Sequence, residues 1–122
     1  MYKVAFVSLG GAVGATLRYL LCLIHFKSDF PFMTLIVNLV GAFAIGIISG
    51  IASAKTVNPY LILFLKTGIC GGFTTFSTFA LETVSLGEKN KMPLALLYAF
   101  VSITGCCIGV KLGMRLASLR IS

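Results

Sequence analysis

The chain has 122 residues, of which 58% are hydrophobic and only 11% are charged, and its mean hydropathy is +1.04. Soluble domains carry roughly 25% charged residues, so this composition excludes an ordinary water-soluble globular domain. The net charge is +7, but the basic residues are scattered and no polar domain is present to offer them to a nucleic acid. The sequence therefore predicts an integral membrane protein that does not bind nucleic acid.

Four apolar segments are long enough to cross a bilayer, which requires about 20 residues of helix. We predict one four-helix membrane domain over residues 1–122, with spans at about 4–26, 32–54, 58–86 and 92–117. The apolar sequence of the first span continues past its small residues, so we expect it to be a retained span and not a cleaved signal peptide. The predicted fold class is an all-α, multi-pass membrane protein.

The loops carry a weak charge bias. An even number of spans places both termini on one side, with five Lys or Arg residues on that side and three on the other: Lys3, Lys55, Lys111, Arg115 and Arg120 against Lys27, Lys89 and Lys91. Because positive loop charges set orientation, so small a difference predicts that the chain can insert either way.

Glycines recur at four-residue intervals along several spans, in the pairs Gly10 with Gly14 and Gly46 with Gly50, and in the series Gly105, Gly109 and Gly113. Small residues at this spacing let helices approach closely in lipid. Because four helices have more such faces than one small bundle uses, we expect these ridges to favour oligomerisation.

The third span interrupts itself at GICGGFTTFSTF, residues Gly68 to Phe79. Gly71 and Gly72 each weaken a helix by roughly 1 kcal/mol relative to alanine, and we predict a break between Cys70 and Thr75. Backbone groups freed at membrane depth persist only where they are buried in protein or line a cavity or an ion site. Converging carbonyls at this break would suit a cation.

After the break, helical spacing returns and produces two stripes. Phe76 and Phe79, three residues apart, form an aromatic stripe; Thr75 and Thr78 are also three apart, and Thr78 reaches Glu82 at four. A purely structural alternative is that the hydroxyls bond their own preceding carbonyls and the rings face lipid. The preceding break weighs against that alternative.

Three segments carry a resemblance to a known family: GGAVGATLRY (Gly10–Tyr19), TLIVNLVGAFAIG (Thr34–Gly46) and GICGGFTTFSTFALE (Gly68–Glu82). They are similar to the signature segments of the Fluc family of fluoride channels, also called CrcB. The resemblance implies a fluoride-selective ion channel of the cell (inner) membrane that passively releases fluoride and so lowers its cytoplasmic toxicity. It further implies an antiparallel, dual-topology homodimer in lipid with two fluoride pathways near the subunit interface.

The resemblance also implies a structural sodium ion that is not transported. The ion would lie at the dimer centre, held by the main-chain carbonyls of Gly71 and Thr74 from both copies. Carbonyl oxygens suit such a hard cation.

Fluoride would be held by hydrogen-bond donors and by the positive edges of aromatic rings. By resemblance, the pathway comprises the Asn38 amide, the Phe76 and Phe79 rings, the Ser77 and Thr78 hydroxyls, and further along Thr34, Tyr98 and Ser102. Cys106 stands where another hydroxyl would follow Ser102 by one turn, and a thiol is a poorer donor.

Two ionisable residues of the spans have several open interpretations. Arg18 matches the family's arginine, which suggests a vestibule or dimer contact, although a snorkelling interfacial side chain is an alternative. Glu82, an acid within a span, is either bonded to Thr78, the polar end of the pathway, or part of a proton-coupled step.

Two other classes of function remain open on the sequence. Small multidrug exporters share this size and dual topology, but they need an acid in the first span, where this chain has Arg18. A non-conducting assembly subunit would explain the glycine ridges but neither Asn38 nor the aromatic and hydroxyl stripes. No nucleophile with a base and no phosphate-binding loop occurs, so we predict no enzymatic activity.

Overall fold

The computed structural model describes residues 1–121, and it confirms four helices long and apolar enough to cross a membrane. These spans are Tyr2–Cys22, Phe32–Ala54, Pro59–Glu88 and Met92–Ile121. The first ends at Cys22 and not at residue 26, because a polar loop with His25 and Lys27 follows it. The first and second spans are named α1 and α2.

The third span consists of two half-helices, as predicted. Residues 59–73, named α3, begin at the cap Asn58, whose Oδ1 accepts the Tyr60 N–H at 2.8 Å, and include a π-helical stretch, Leu63–Cys70. The chain is extended at Thr74 (φ −81°, ψ 157°) and Thr75 (φ −148°, ψ 119°). It then resumes as Phe76–Glu88, named α4, and the last span, Met92–Ile121, is α5.

The break lies within the predicted interval, but the glycines are not where the helix stops. Gly71 has φ −62° and ψ −38°, and the short helical segment continues through Gly72 to Phe73. Gly71 therefore adopts an ordinary helical conformation. The extended backbone belongs to Thr74 and Thr75, where side chains replace main-chain hydrogen bonds.

Helices α1 and α3 meet backbone to backbone. A Cβ atom at Gly10 would lie 2.3 Å from the Phe64 carbonyl oxygen, and one at Gly14 would lie 2.1 Å from the Ile69 carbonyl oxygen. Contacts this short leave no room for any side chain. The glycine pair of the first span thus fixes α3, and with it the break, against α1.

Helices α2 and α5 pack in the same way. A Cβ atom at Gly46 would lie 2.3 Å from the Val110 carbonyl oxygen, and one at Gly113 would lie 2.3 Å from the Phe43 carbonyl oxygen. The glycine ridges are therefore occupied within the chain, so they do not by themselves indicate a second copy, contrary to the expectation from spacing.

The buried core lies between α2, α4 and α5, and its members are Leu35, Phe79, Leu86, Ala95 and Tyr98. Beyond it, the α1–α2 loop and the α4–α5 turn lie on the same side, joined by an ion pair between Asp29 and Lys91. Asn90 in that turn has φ 60°, a left-handed conformation that asparagine tolerates.

Candidate functional site

The amide side chain of Asn38 binds the backbone of the break. The Thr75 N–H donates to Asn38 Oδ1 at 2.8 Å, and Asn38 Nδ2 donates to the Thr75 carbonyl at 3.0 Å. Asn38 lies on α2, so a neighbouring helix satisfies both main-chain groups of a residue that has left the helical ladder. Buried backbone groups must be paired, and here a carboxamide pairs them.

Thr75 is also the N-cap of α4. The Thr78 N–H donates to Thr75 Oγ1 at 3.2 Å, and the Thr75 hydroxyl donates to Thr78 Oγ1 at 3.0 Å. Sequence reasoning placed Thr75 only in a hydroxyl stripe and missed this role. The available signal was a threonine directly before a helical segment, because threonine is a favoured N-cap residue.

These side-chain bonds leave particular carbonyls without their helical partners. In a continuous helix, the Gly71 carbonyl would accept from the Thr75 N–H, and the Thr74 carbonyl would accept from the Thr78 N–H. Both N–H groups instead bind side chains. The intervening Gly72 carbonyl accepts from Arg18 Nε at 3.2 Å. The two predicted sodium ligands are therefore free to accept another partner.

The surroundings of these carbonyls are compatible with a main-chain cation site. Gly71 is exposed, and a Cβ atom there would meet nothing nearer than the Lys66 carbonyl at 3.9 Å. Within residues 1–121, no group of three or more His, Cys, Asp or Glu side chains could hold a metal ion. A cation at the break would therefore depend on carbonyl oxygens, which are ligands of hard cations.

A cavity of about 320 Å³ lies between α2, the break and α5. Its polar lining includes Asn38, Thr75 and Ser102, and Phe79 and Cys106 also line it. Ser102 is only 5% exposed, and its Oγ has no hydrogen-bond partner among the residues described. A buried hydroxyl without a partner is costly, which favours a ligand in this cavity.

The aromatic residues differ in exposure. Phe79 is 7% exposed and packs on Tyr98 with ring centroids 5.1 Å apart at 60°, and Tyr98 in turn forms a T-shaped contact with the Phe30 ring. The ring centroid of Phe76 lies 5.5 Å from that of Phe79, but Phe76 is 76% exposed. Thus Phe79 is a fixed wall of the cavity, whereas most of the Phe76 ring meets no part of this chain.

Glu82 accepts hydrogen bonds at both of its oxygens. Thr34 Oγ1 donates to Oε2 at 3.0 Å, and the Tyr98 hydroxyl donates to Oε1 at 2.9 Å. The sequence suggested Thr78 as its partner, but Thr78 is engaged with Thr75. Glu82 is instead linked to α2 and α5.

Two further cavities approach Glu82 from the loop side. One of about 370 Å³ is bounded by Asp29, Ser85 and Lys89, and the other, of about 280 Å³, is bounded by His25 and Thr34. Both loop-side cavities include Glu82 in their lining, whereas the central cavity includes Phe79, three residues before Glu82 on the same half-helix.

Asp29 lies at the mouth of the larger loop-side cavity. The hydrogen bond from Lys91 and the positive charge of Lys91 lower the pKa of the Asp29 carboxyl, and the charge of Lys89 adds to this. Both paired side chains are accessible to solvent. The carboxylate therefore keeps its charge, balanced by a neighbouring cation.

The structure brings together most of the residues predicted from the sequence, in three groups. The cavity group is Asn38, Phe79 and Ser102, with Phe76 at its rim; the carboxylate group is Thr34, Tyr98 and Glu82; the break group is Arg18, Gly71 and Thr74. Ser77 is exposed and Thr78 belongs to the helix cap, and neither lines the cavity.

The chain matches a family model described as CrcB-like protein, Camphor Resistance (CrcB), over residues 5–114. Relatives named fluoride-specific ion channel FluC match over nearly their whole length. The protein from Shewanella halifaxensis is 39% identical over 98% of this chain and 99% of its own. The one from Ruminiclostridium cellulolyticum is 46% identical over 96% of this chain and 93% of its own.

A third FluC relative, from Chlorobium phaeobacteroides, is 46% identical over 93% of this chain and 91% of its own. These matches include all four spans and the break between Phe73 and Phe76. With a family model spanning residues 5–114 as well, the chain belongs to the CrcB-like family.

Proposed function

We propose that this protein is a fluoride-specific ion channel of the cell membrane, which lets fluoride leave the cell passively and thereby lowers its cytoplasmic toxicity. Its relatives carry that name over almost their full length. The protein is a channel and not an enzyme, and it performs no covalent chemistry on the ion. Fluoride moves down its electrochemical gradient.

One observation in the cavity carries this proposal: Ser102 Oγ is buried and has no partner among residues 1–121. A hydroxyl hydrogen needs an acceptor, and fluoride is a strong hydrogen-bond acceptor. Asn38 uses one of its two amide hydrogens on Thr75 and retains the other for the cavity that it lines. The Phe79 ring adds the positive edge of an aromatic quadrupole.

Beyond Phe79, the same pathway continues to Thr34, Tyr98 and Glu82. The two hydroxyls that donate to Glu82 hold the carboxylate in place. A fixed negative charge would oppose anion entry unless hydrogen bonds or nearby cations offset it. Lys89, which lines the same loop-side cavity as Glu82, would supply such positive charge.

A second copy of the chain would complete the site. Phe76 is 76% exposed beside the cavity, and Gly71 is exposed beside the free carbonyls. We infer an antiparallel homodimer in which Phe76, with Ser77 and Thr78 on the same half-helix, meets the partner. The nearly balanced charges of the two loop faces are compatible with both orientations.

A sodium ion at the dimer axis fits the donor set of the break. Two copies related by a two-fold axis would contribute the Gly71 and Thr74 carbonyls of each, four oxygens in all. The ion would be structural and would neutralise part of the charge that an anion brings into the bilayer. Arg18, which contacts the break, would lie close to this interface.

The test uses purified protein in liposomes loaded with fluoride or chloride, with a cationic dye in a third set. We expect fluoride efflux without chloride efflux and without proton-coupled dye transport. Dye transport would identify an exporter, and no flux of any kind would identify an assembly subunit. Either outcome would overturn the proposal.

Variants locate the route. Ser102→Ala and Phe79→Ile should reduce fluoride flux by at least about tenfold, as expected for losing one hydrogen bond or one ring contact of about 1.4 kcal/mol. Asn38→Asp should reduce it more, because a like charge replaces a donor. Ser53→Ala is the matched control, since Ser53 is exposed and bonds only the Ser49 carbonyl of its own helix. Equal flux in Ser102→Ala and Ser53→Ala would remove Ser102 from the pathway.

A further inference from the structure

We propose that Arg18 and Asn38 are positioning residues, which hold the break of the third span in the shape that presents the Gly71 and Thr74 carbonyls to a cation. Neither side chain would touch the cation in this role. The inference rests on the sodium site of the proposed function. In it, both side chains bind backbone groups of the break and not the ion.

Asn38 makes a bidentate contact with the backbone. A carboxamide carries a donor and an acceptor in the same geometry as a peptide group, so it can pair with both main-chain groups of one residue. Asn38 does this with Thr75, at 2.8 and 3.0 Å. Aspartate at this position would accept but not donate, and serine has only a single oxygen.

The contact between Arg18 and the backbone explains why a half-buried arginine occurs in the first span. The ion pairs of residues 1–121 include no carboxylate partner for Arg18, and its hydrogen bond goes to the Gly72 carbonyl. That carbonyl is in the last turn of α3, where the helix dipole is negative. A membrane-embedded arginine is costly unless paired, so this carbonyl is its structural partner.

Each of the two side-chain contacts is made to the residue that follows a free carbonyl. Arg18 holds Gly72, which follows Gly71, and Asn38 holds Thr75, which follows Thr74. If Asn38 released Thr75, its N–H could return to the Gly71 carbonyl and restore the helical bond. Closing that bond would withdraw an oxygen from the cation. Cation affinity and the two side-chain bonds are therefore coupled.

The first test measures sodium binding without measuring fluoride flux. Thermal unfolding of the purified protein is followed while sodium replaces N-methylglucamine, and the sodium concentration for half-maximal stabilisation is compared between variants. Arg18→Met should raise that concentration by about tenfold to a hundredfold, the effect of losing a charge-assisted hydrogen bond. Arg115→Met, on the exposed surface of α5, should leave it unchanged.

The sign of the change separates two roles for Arg18. If Arg18 were only a positive charge near the site, its removal would reduce repulsion and tighten sodium binding. A tighter or unchanged affinity in Arg18→Met would therefore overturn the proposal. So would the absence of any sodium effect on the unmodified protein.

The second test observes the Thr75 amide directly in protein labelled with ¹⁵N-threonine, with the signal assigned by its loss in Thr75→Ser. We expect Asn38→Ala to shift this amide signal, because the N–H loses its acceptor on Asn38 and either turns to water or bonds the Gly71 carbonyl. Asn38→Asp keeps the acceptor and should leave it protected, so it also serves if the alanine variant does not fold. An unchanged signal in Asn38→Ala, or a loss of protection in Asn38→Asp, would contradict the positioning role of Asn38.

The outcomes distinguish this inference from the proposed function. If the unmodified protein conducts fluoride but both variants keep their sodium affinity and amide signal, only the positioning roles fail. If the unmodified protein does not conduct fluoride, the channel proposal fails, while the sodium titration and the amide signal still decide the roles of Arg18 and Asn38.

Discussion

The packed glycine ridges and the break in the third span are both glycine-rich, yet they are held together by different forces. At the ridges, backbones touch directly, as where the Gly14 position approaches the Ile69 carbonyl. At the break, side chains from Asn38 and Thr75 take over hydrogen bonds that the main chain has given up. Glycine in this membrane protein allows close approach, and polar side chains make the irregular backbone stable.

The difference has a physical origin in the solvent. Lipid offers no hydrogen bonds, so a helix can change direction at membrane depth only where the protein supplies partners. The ridges lie on continuous helices and need only small residues for van der Waals contact. The break has lost helical bonds, and it occurs where α1 and α2 both supply polar side chains.

The largest effect is expected at a ridge, with Gly14→Leu. A Cβ atom would lie 2.1 Å from one backbone oxygen and 2.8 Å from the Phe73 nitrogen, and backbone atoms cannot move aside. We expect α1 and α3 to separate and the chain to fail to fold, as judged by expression and monodispersity in detergent. Gly11→Leu is the control, since nothing lies within 4 Å of a Cβ there. A well-folded Gly14→Leu would mean that the ridge is not tightly packed.

The second prediction is that alanine has opposite effects on stability at the two adjacent glycines of the third span. A Cβ atom at Gly72 would lie 2.6 Å from the Gly11 carbonyl, whereas one at Gly71 meets only an oxygen at 3.9 Å. Gly72→Ala should destabilise the monomer by about 1–3 kcal/mol, the usual cost of overpacking. Gly71→Ala should stabilise it slightly, because alanine favours helix.

The measurement for this pair is unfolding followed by helical ellipticity in a detergent that keeps the chain monomeric. Equal losses of stability in both variants would contradict this prediction. If Gly71→Ala keeps the monomer intact but prevents sodium-dependent dimer formation, Gly71 instead faces the partner that we propose.

The sequence was sufficient for the four spans and for an interruption between Cys70 and Thr75. Uninterrupted apolar length determines the spans, and weak helix formers such as Gly72 mark the interruption. It was not sufficient to locate the break at Thr74, because that depends on which neighbouring helix supplies partners. Asn38 is far from Thr75 in the chain, so only the folded structure reveals their contact.

The site shows the same limit. The helical spacing of Phe76 and Phe79 predicted an aromatic face, the resemblance added Ser102, and Phe79 and Ser102 line one cavity in the structure. Of the interpretations of Glu82 left open by the sequence, the bond with Thr78 does not form, because Thr78 joins the cap of α4 and Glu82 accepts from Thr34 and Tyr98. Spacing on one helix identifies neighbours, but it does not reveal competing partners on other helices.

The third prediction tests whether a side chain stabilises the break. Thr75→Val keeps the shape of the residue but removes the N-cap acceptor of the Thr78 N–H, and we expect a loss of about 1 kcal/mol in unfolding free energy. Thr75→Ser should keep the unfolding free energy of the unmodified protein, because serine retains the N-cap hydroxyl. Thr83→Val is the control: the Thr83 hydroxyl bonds only the Phe79 carbonyl of its own helix, so we expect a change within about 0.5 kcal/mol. Equal losses at Thr75 and Thr83 would show that the cap does not stabilise the break.

The smallest effect is expected at the loop-side mouth, where Asp29 and Lys91 also form a side-chain contact, but one accessible to water. Lys91 lowers the pKa of Asp29 from its ordinary 3.8, so the folded protein binds this proton less readily than the unfolded chain does. The resulting stabilisation is present above the ordinary pKa and is lost as the pH falls through the lowered value. We therefore expect the melting temperature of the unmodified protein to exceed that of Asp29→Asn slightly near neutral pH. The difference should shrink as the pH falls below the ordinary pKa of Asp29 and should shrink in high salt, because exposed pairs are screened. A difference that persists in acid and in salt would mean that the contact is held by packing, as the glycine ridges are, and not by charge.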